Sequence, residues 1–186
     1  MPILDIKIIM GAYLFQSSRL GFRNWTDTDI NILSEINEDD DVMEFFPFKP
    51  SKKDTQNFMQ RMRSMLDEKG FCYFAVDIIE NKEFIGFIGL CEQTYLNDLG
   101  PFVDIGWRLK KSIWNQGFAT EGAKACLDYG FNQVGLDEIY SVAPEINIKS
   151  ELIMKKIGMQ RIKTFEHPKL TDDLRLKDCV LYQISK

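Results

Sequence analysis

The sequence predicts an α+β domain arranged around one central sheet, and the order of its elements carries that prediction. Two helical patterns come early, β-rich segments joined by short turns fill the middle, and strands then alternate with helices towards the C-terminus. With 186 residues, 45% of them hydrophobic and 12% aromatic, the chain can bury one sizeable core and is short for two. No stretch rich in Pro, Gly or Ser reaches linker length and no internal repeat occurs. Residues 19–186 therefore read as one continuous domain.

Residues 1–18 read as an N-terminal extension or first strand. Their apolar run, 8–15, follows Asp5 and Lys7 and lacks the basic start and small-residue cleavage pattern of a secretory signal. Leu20 and Phe22 alternate on one side of a short strand over 19–23. Thr26 with Asp29 makes a capping-box pattern ahead of Ile30, Leu33 and Ile36, and Ser51 with Asp54 makes a second one. The helix opened by Ser51 carries the stripe Phe58, Met59, Met62, Met65 and Leu66, reads as core-facing, and closes at Gly70. Runs 71–79 and 84–90 flank Glu80, Asn81, Lys82 and Glu83 as a hairpin, in whose second strand Gly86 and Gly89 suggest a bulge. A third β-rich run covers 103–109. The segment 114–121 leads into a helix with apolar positions Ala123, Cys126, Leu127, Phe131 and Val134. A strand over 139–142, a helix over 147–156 and strands over 159–165 and 179–184 complete the order.

Composition excludes several functions. A formal net charge of -5 lacks the basic stripe that tracks a nucleic acid, so no nucleic-acid partner is expected. Nowhere do the ~20 consecutive apolar residues of a membrane-spanning helix occur. The four cysteines, Cys72, Cys91, Cys126 and Cys179, include no CxxC pair, and His167 is the single histidine. Neither a metal site nor a disulfide framework is expected, and inert buried thiols suit a reducing, cytoplasmic compartment.

The segment from Trp114 to Thr120 carries the chemistry. Where a loop enters a helix, the first turn has unpaired N–H groups and concentrated positive potential, which suits an anion. Gly117 lets a phosphate approach the backbone, Ala119 is small, and Thr120 adds a hydroxyl. Alone, the segment is equally a tight turn with a well-started helix. No GxGxxG follows a first strand and no GxxxxGK[ST] occurs, which counts against an unrelated nucleotide binder.

Trp114, Asn115, Gln116, Gly117, Phe118 and Ala119 resemble the acetyl-coenzyme A signature of the GNAT superfamily of N-acetyltransferases. That signature reads Arg or Gln, two residues, Gly, one residue, then Gly or Ala. Trp114 departs from its first position. A tryptophan there, with Ala-Thr-Glu following and Gly106, Trp107, Arg108 and Leu109 preceding, is similar to the Rim-type branch that acetylates ribosomal-protein α-amines. Asn147, Ser150 and the run from Met154 to Met159 fit the same branch.

The resemblance implies a splayed mixed sheet flanked by about four helices, with acetyl-coenzyme A as cosubstrate and no metal. It lays the pyrophosphate on Asn115, Gln116, Gly117, Phe118, Ala119 and Thr120. The pantetheine arm pairs with main-chain groups of Trp107 and Leu109, around Arg108, as an added strand. Asn147 and Ser150, three apart on a helix, meet the arm and thiol.

Transfer needs a neutral amine, an oxyanion donor and a proton for the leaving thiolate. A main-chain N–H near Arg108 or Leu109 is the expected donor, and Ser150 or Tyr182 the expected proton source. Glu92, Glu166 and His167 are the expected bases, each near a strand end. Acceptors consistent with the family are a protein N-terminal α-amine, a polyamine or a small-molecule amine; a binding module without turnover is the non-enzymatic alternative. The acidic run of Glu38, Asp39, Asp40, Asp41 and Glu44 is either a solvated loop or a lure for a cationic acceptor. An α-amine is favoured because, at pH 7, roughly a tenth of it is neutral against about one part in 2,500 of a lysine.

Overall fold

A computed structural model describes residues 13–186. The apolar run expected over 8–15 thus lies largely outside the described residues, although Phe15–Gln16 forms a first short strand, β1. The other elements are β2 (Leu20–Arg23), α1 (Asp29–Glu38), α2 (Lys52–Lys69), β3 (Tyr73–Ile78), β4 (Glu83–Gln93), β5 (Phe102–Leu109), α3 (Phe118–Tyr129), β6 (Glu138–Pro144), α4 (Ile148–Lys156), β7 (Gln160–Glu166) and β8 (Asp178–Ser185). They build one eight-stranded mixed sheet in the order β1-β2-β3-β4-β5-β6-β8-β7, with four α-helices. The α+β class is as expected.

Local chemistry explains most boundaries. The capping box at Ser51 is complete: Asp54 N–H donates to Ser51 Oγ at 3.1 Å and Ser51 N–H returns to the Asp54 carboxylate at 2.9 Å. Gly70 ends that helix at φ 77, a left-handed position suited to glycine. At α1 only half of the expected box forms. Asp29 accepts from Thr26 N–H at 2.8 Å, but the Thr26 hydroxyl donates to the same carboxylate at 3.0 Å and Asp29 N–H goes to Thr26 O at 3.1 Å, so the helix starts one residue after Thr28; the Asp29 carboxylate also takes Arg23 at 2.8 and 2.9 Å. Arg23 simultaneously binds Asp77 of β3 at 2.7 and 2.8 Å, so one guanidinium ties β2, α1 and β3 together.

The hairpin glycines divide in role. At Gly86, φ is +123 and a register shift between Val76 and Asp77 marks the expected bulge; a Cβ there would collide with Arg108 O. Gly89 is not at a bulge, and its backbone instead lies close against Cys72 O. The helix expected to reach Val134 is α-helical only to Tyr129 and continues as a π-helical turn over Gly130–Val134. A Cβ at Gly130 would meet Leu90 at 2.8 Å, so the chain there lies tight on the sheet.

The two faces of β4 receive different helices. Phe58 of α2 packs on Phe87, with ring centroids 5.2 Å apart, whereas Gly122 and Gly130 at α3 and its extension approach Ile88 and Leu90. Alternation then assigns Asp104, Gly106 and Arg108, of which Arg108 is opposite Phe87, to the α1/α2 face. Leu20, Phe74, Ile85, Ile88, Leu90, Ile105 and Ile139 are fully buried, each contributing about 1.5–3 kcal/mol relative to exposure. All four cysteines are free and buried, and burial pushes Cys91 and Cys179 up to about 12.

Candidate functional site

The sheet opens between β5 and β6. These parallel strands pair only at Asp104 and Tyr140, and beyond that point they part. Lys110 N–H donates to Ile85 O, which fixes the alternation along β5: Arg108 turns its main chain to β4, and Trp107 and Leu109 turn theirs into the opening. Ser141 Oγ donates to Ile105 O at 3.0 Å and Trp114 Nε1 to Leu109 O at 2.9 Å, both from the open side. Trp107 therefore presents both main-chain groups there, and Leu109 its N–H. Of the two donors expected near Arg108 or Leu109, that of Arg108 is directed at β4 by this register.

The loop ahead of α3 is held from both ends. After a 3-10 turn at Lys111–Ile113, Trp114 is pinned by its indole bond to Leu109 and by Lys149, whose ammonium sits 4.9 Å from the ring. On the other side Arg19 donates to Gln116 O at 3.1 Å, lies 4.2 Å from the Phe118 ring and pairs with Glu121 at 2.7 Å. Asn115 at φ 61 and Gly117 at φ 83 are left-handed. The first bond of α3 runs from Glu121 N–H to Gly117 O, so Phe118, Ala119 and Thr120 have no intrahelical partner for their N–H groups. Alternating backbone handedness before a helix N-terminus makes a concave set of donors suited to a phosphate.

Two cavities meet at the opening. One, of about 490 Å³, is lined by the loop residues Asn115, Gly117, Phe118, Ala119 and Thr120, by Trp107 and Leu109, and by Lys149 and Lys156 of α4. The other, of about 570 Å³, lies on the α1/α2 face and is lined by Tyr73, Phe58, Asp104, Gly106 and Ser141 among others. Trp107, Arg108, Asn147 and Ser150 border both. Asn147 is the N-cap of α4: its Oδ1 accepts from Ser150 N–H at 3.1 Å, leaving its amide N–H₂ free to donate.

Of the sequence-derived catalytic residues, the structure brings Ser150 alone to these cavities. Glu92 accepts from Lys69 at 2.8 Å and lines neither cavity. Glu166, at the end of β7, pairs with Lys177, which precedes β8. His167 stacks on Tyr95 at 4.5 Å and accepts from Lys169 N–H at 3.2 Å, which secures its loop. Tyr182 is buried and donates to Glu151 at 2.5 Å. Gln116 lines neither cavity and contributes its carbonyl to Arg19. In the acidic run, Asp40 pairs with Lys49 and Asp41 with Lys111, while Asp39 accepts two N–H bonds within its own turn. Asp41 and Glu44 border the loop-side cavity, not the α1/α2 one.

The structure adds a carboxyl that residue order alone did not single out. Asp104 is buried, and burial raises it to about 7 against the opposing effect of a 2.6 Å hydrogen bond from Tyr73. A carboxyl poised there accepts a proton near neutral pH. The signal available in the sequence was an acid inside a β-rich run, on the same face as Gly106 and Arg108.

Known proteins resemble this chain in sequence and in fold. The acetyltransferase (GNAT) domain model matches residues 19–160. YnaD of Bacillus subtilis (strain 168), described as an uncharacterized N-acetyltransferase, is 31% identical over 150 residues, 78% of this chain and 81% of its own. An acetyltransferase (GNAT family) from Bacillus anthracis has a TM-score of 0.75 at 27% identity, over 91% of this chain and 96% of that one. RimL, a ribosomal L7/L12 α-N-protein acetyltransferase in complex with coenzyme A, has a TM-score of 0.72 over 91% of this chain and 95% of its own; at 14% identity that likeness concerns the fold alone.

Proposed function

Because the chain belongs to the GNAT acetyltransferase family, we propose that its acetyl transfer runs directly from acetyl-coenzyme A to the α-amine of a peptide or protein N-terminus. The observation that carries this reading is the meeting of two cavities at Trp107, Asn147 and Ser150, one furnished for a phosphate and one holding a buried carboxyl. In it, Asn115 to Thr120 hold the pyrophosphate, Lys149 and Lys156 supply positive charge, and Trp107 and Leu109 pair with the pantetheine arm. Asp104 lies on the acceptor side.

The steps follow from these positions. Asp104 takes a proton from the incoming ammonium, and the neutral nitrogen attacks the thioester carbonyl carbon. An N–H from β5 stabilises the oxyanion. Collapse breaks the C–S bond, and Ser150 relays the proton that the attacking nitrogen sheds to the departing sulfur, leaving a neutral amide and a thiol. A base near 7 suits an α-ammonium at 7.7–8.0, which lies about one unit above it, better than a lysine near 10.4. Asp39, Asp40 and Asp41 do not line the α1/α2 cavity, which supports an α-amine over a polyamine.

The test competes a lysine-blocked peptide with a free N-terminus, an N-terminally blocked lysine peptide and spermidine, with mass detection. The first should exceed the others at least tenfold in kcat/KM; the reverse order would remove the α-amine assignment. Two variants probe the machinery. Ser150→Ala should lower kcat about tenfold with KM nearly constant, and full turnover would take Ser150 out of the mechanism. At Gly117 a Cβ meets nothing closer than Arg19 at 3.5 Å, so steric room is ample and the left-handed φ is the constraint. Gly117→Asn tolerates that φ and should remain folded while its side chain obstructs the phosphate donors, weakening coenzyme A binding at least tenfold by calorimetry. Unchanged affinity in the folded variant would displace the pyrophosphate from this loop.

A further inference from the structure

Arg108 is a cation held in place without an anion. Its guanidinium lies 4.1 Å from the ring centre of Phe46 and 5.4 Å from that of Phe87, and Nη1 donates to Asn37 Oδ1 at 2.7 Å. Asn37 is itself buried and anchored, donating to Thr55 at 3.0 Å, which in turn donates to Ser51 O at 3.0 Å. This chain of bonds fixes the arginine from one side only. Its Nε is shielded from solvent and has no hydrogen-bond partner among the described residues. Burial pushes the group down to about 10, which leaves it charged at neutral pH.

Arg23 gives the contrast within the same molecule. It too is largely shielded, and it is neutralised by two carboxylates, Asp29 and Asp77. Arg108 instead has a neutral amide and two aromatic rings, and forms no ion pair with any described carboxylate. A shielded charge without a counter-ion is costly. Arg108 Nη2 has no hydrogen-bond partner among the described residues, and Arg108 lines the loop-side cavity as well as the α1/α2 one. Arg61, exposed on α2, lines the same cavity and likewise has no carboxylate partner among the described residues. The cavity's acids are otherwise engaged: Asp54 in the Ser51 capping box and Asp104 with Tyr73.

Resting on the reading of this cavity as the acceptor site, we infer that the acceptor carries a carboxylate a few bonds from the amine to be acetylated, and that Arg108 receives it. A planar guanidinium with free donors matches a carboxylate's two oxygens, and its rigid support means little ordering is lost on binding. Asp104 and Arg108 share one strand face with Gly106 between them, so the amine end and the anionic end of one acceptor have separate stations. The carboxylate belongs to an acidic side chain at a peptide N-terminus or to a small amino acid, and the recognition chemistry is the same for both.

Matched pairs test this. Peptides beginning Asp or Glu are compared with those beginning Asn or Gln, and free amino acids with their amides, in the wild-type enzyme and in Arg108→Gln and Arg108→Lys. Variant folding is checked by thermal melting and coenzyme A binding. The wild type should favour the carboxylate member of the reactive pair tenfold or more in kcat/KM, chiefly through KM. Arg108→Gln should bring the ratio within about twofold whatever its absolute rate, and Arg108→Lys should retain an intermediate preference. The peptide and amino-acid arms identify the source. Equal use of both members by the wild type, or a preference that survives Arg108→Gln, overturns the inference while the α-amine assignment stands. Turnover confined to the N-terminally blocked lysine peptide or spermidine overturns the α-amine assignment and, since neither has a carboxylate a few bonds from its amine, this inference with it. If no acceptor turns over, calorimetry with the coenzyme A-loaded protein decides: tighter binding of the Asp than the Asn peptide, lost in Arg108→Gln, supports the inference, and equal binding overturns it.

Discussion

Asp104→Asn is expected to lower kcat/KM by about 10²–10⁴-fold at pH 8, the range a positioned general base supplies. The wild-type kcat/KM should rise with pH through an inflection near the raised carboxyl value of about 7, because only the ionised group accepts a proton, and the variant should lose that inflection. Asparagine still offers an oxygen to the Tyr73 hydroxyl that now bonds Asp104 at 2.6 Å, so the fold should tolerate it.

Stability should move the opposite way. The folded-state value lies above the unfolded one, so between about pH 4 and 7 the native state binds more protons than the unfolded chain and loses stability as pH rises. At about 1.4 kcal/mol per unit this cost is on the order of 4 kcal/mol above pH 7. The variant should thus melt higher than wild type at pH 8 and nearly equal to it at pH 4. A variant that keeps full activity would show that Asp104 is not the base, and one destabilised at pH 8 would show that it is not held against its ionisation.

Arg23→Met is expected to destabilise the fold by about 3–5 kcal/mol, the cost of leaving buried charges without their partner. Asp29 and Asp77 have side chains only 4% and 9% exposed, and the arginine between them joins β2 and β3 to the start of α1. Arg23 and the Thr26 hydrogen bonds hold Asp29 below the usual carboxylate range despite its burial, so removing the cation strands a charge. Urea unfolding measures the loss. Adding Asp29→Asn and Asp77→Asn to Arg23→Met should restore part of it, since the charges no longer need a partner. A loss below about 1 kcal/mol would mean that the acids find water or other donors on their own. The same reasoning sets Arg23 apart from Arg108, which has no internal anion whose loss could be measured.

Local signals were legible because local forces produce them. The Ser51–Asp54 box, the Gly70 stop, the β3–β4 hairpin and the loop from Trp114 to Thr120 depend on caps, turns and handedness within a few residues. The order of elements gave away the α+β class, and the loop motif with Asn147 and Ser150 pointed to the family and to the loop proposed for the phosphate. At α1 the expected box stays half-formed because the Thr26 hydroxyl donates to the Asp29 carboxylate and Asp29 N–H goes to the Thr26 carbonyl.

Tertiary structure alone decided which charged groups are chemical. Glu92, Glu166 and His167 stand near strand ends as expected, yet Lys69, Lys177 and the loop at Lys169 engage them, each pairing made by residues whose proximity depends on the folded sheet or its loops. Asp104 was visible as an acid in a β-rich run. Its raised proton affinity comes from burial in the folded molecule, against the opposing hydrogen bond from Tyr73, 31 residues earlier, which reaches over β4. Arg108 became a recognition element the same way: Asn37, 71 residues before it, and the rings of Phe46 and Phe87 hold it over a cavity with donors to spare. Burial and partnership set the energy of a charge, and both are properties of the assembled sheet and helices, not of neighbouring residues in the chain.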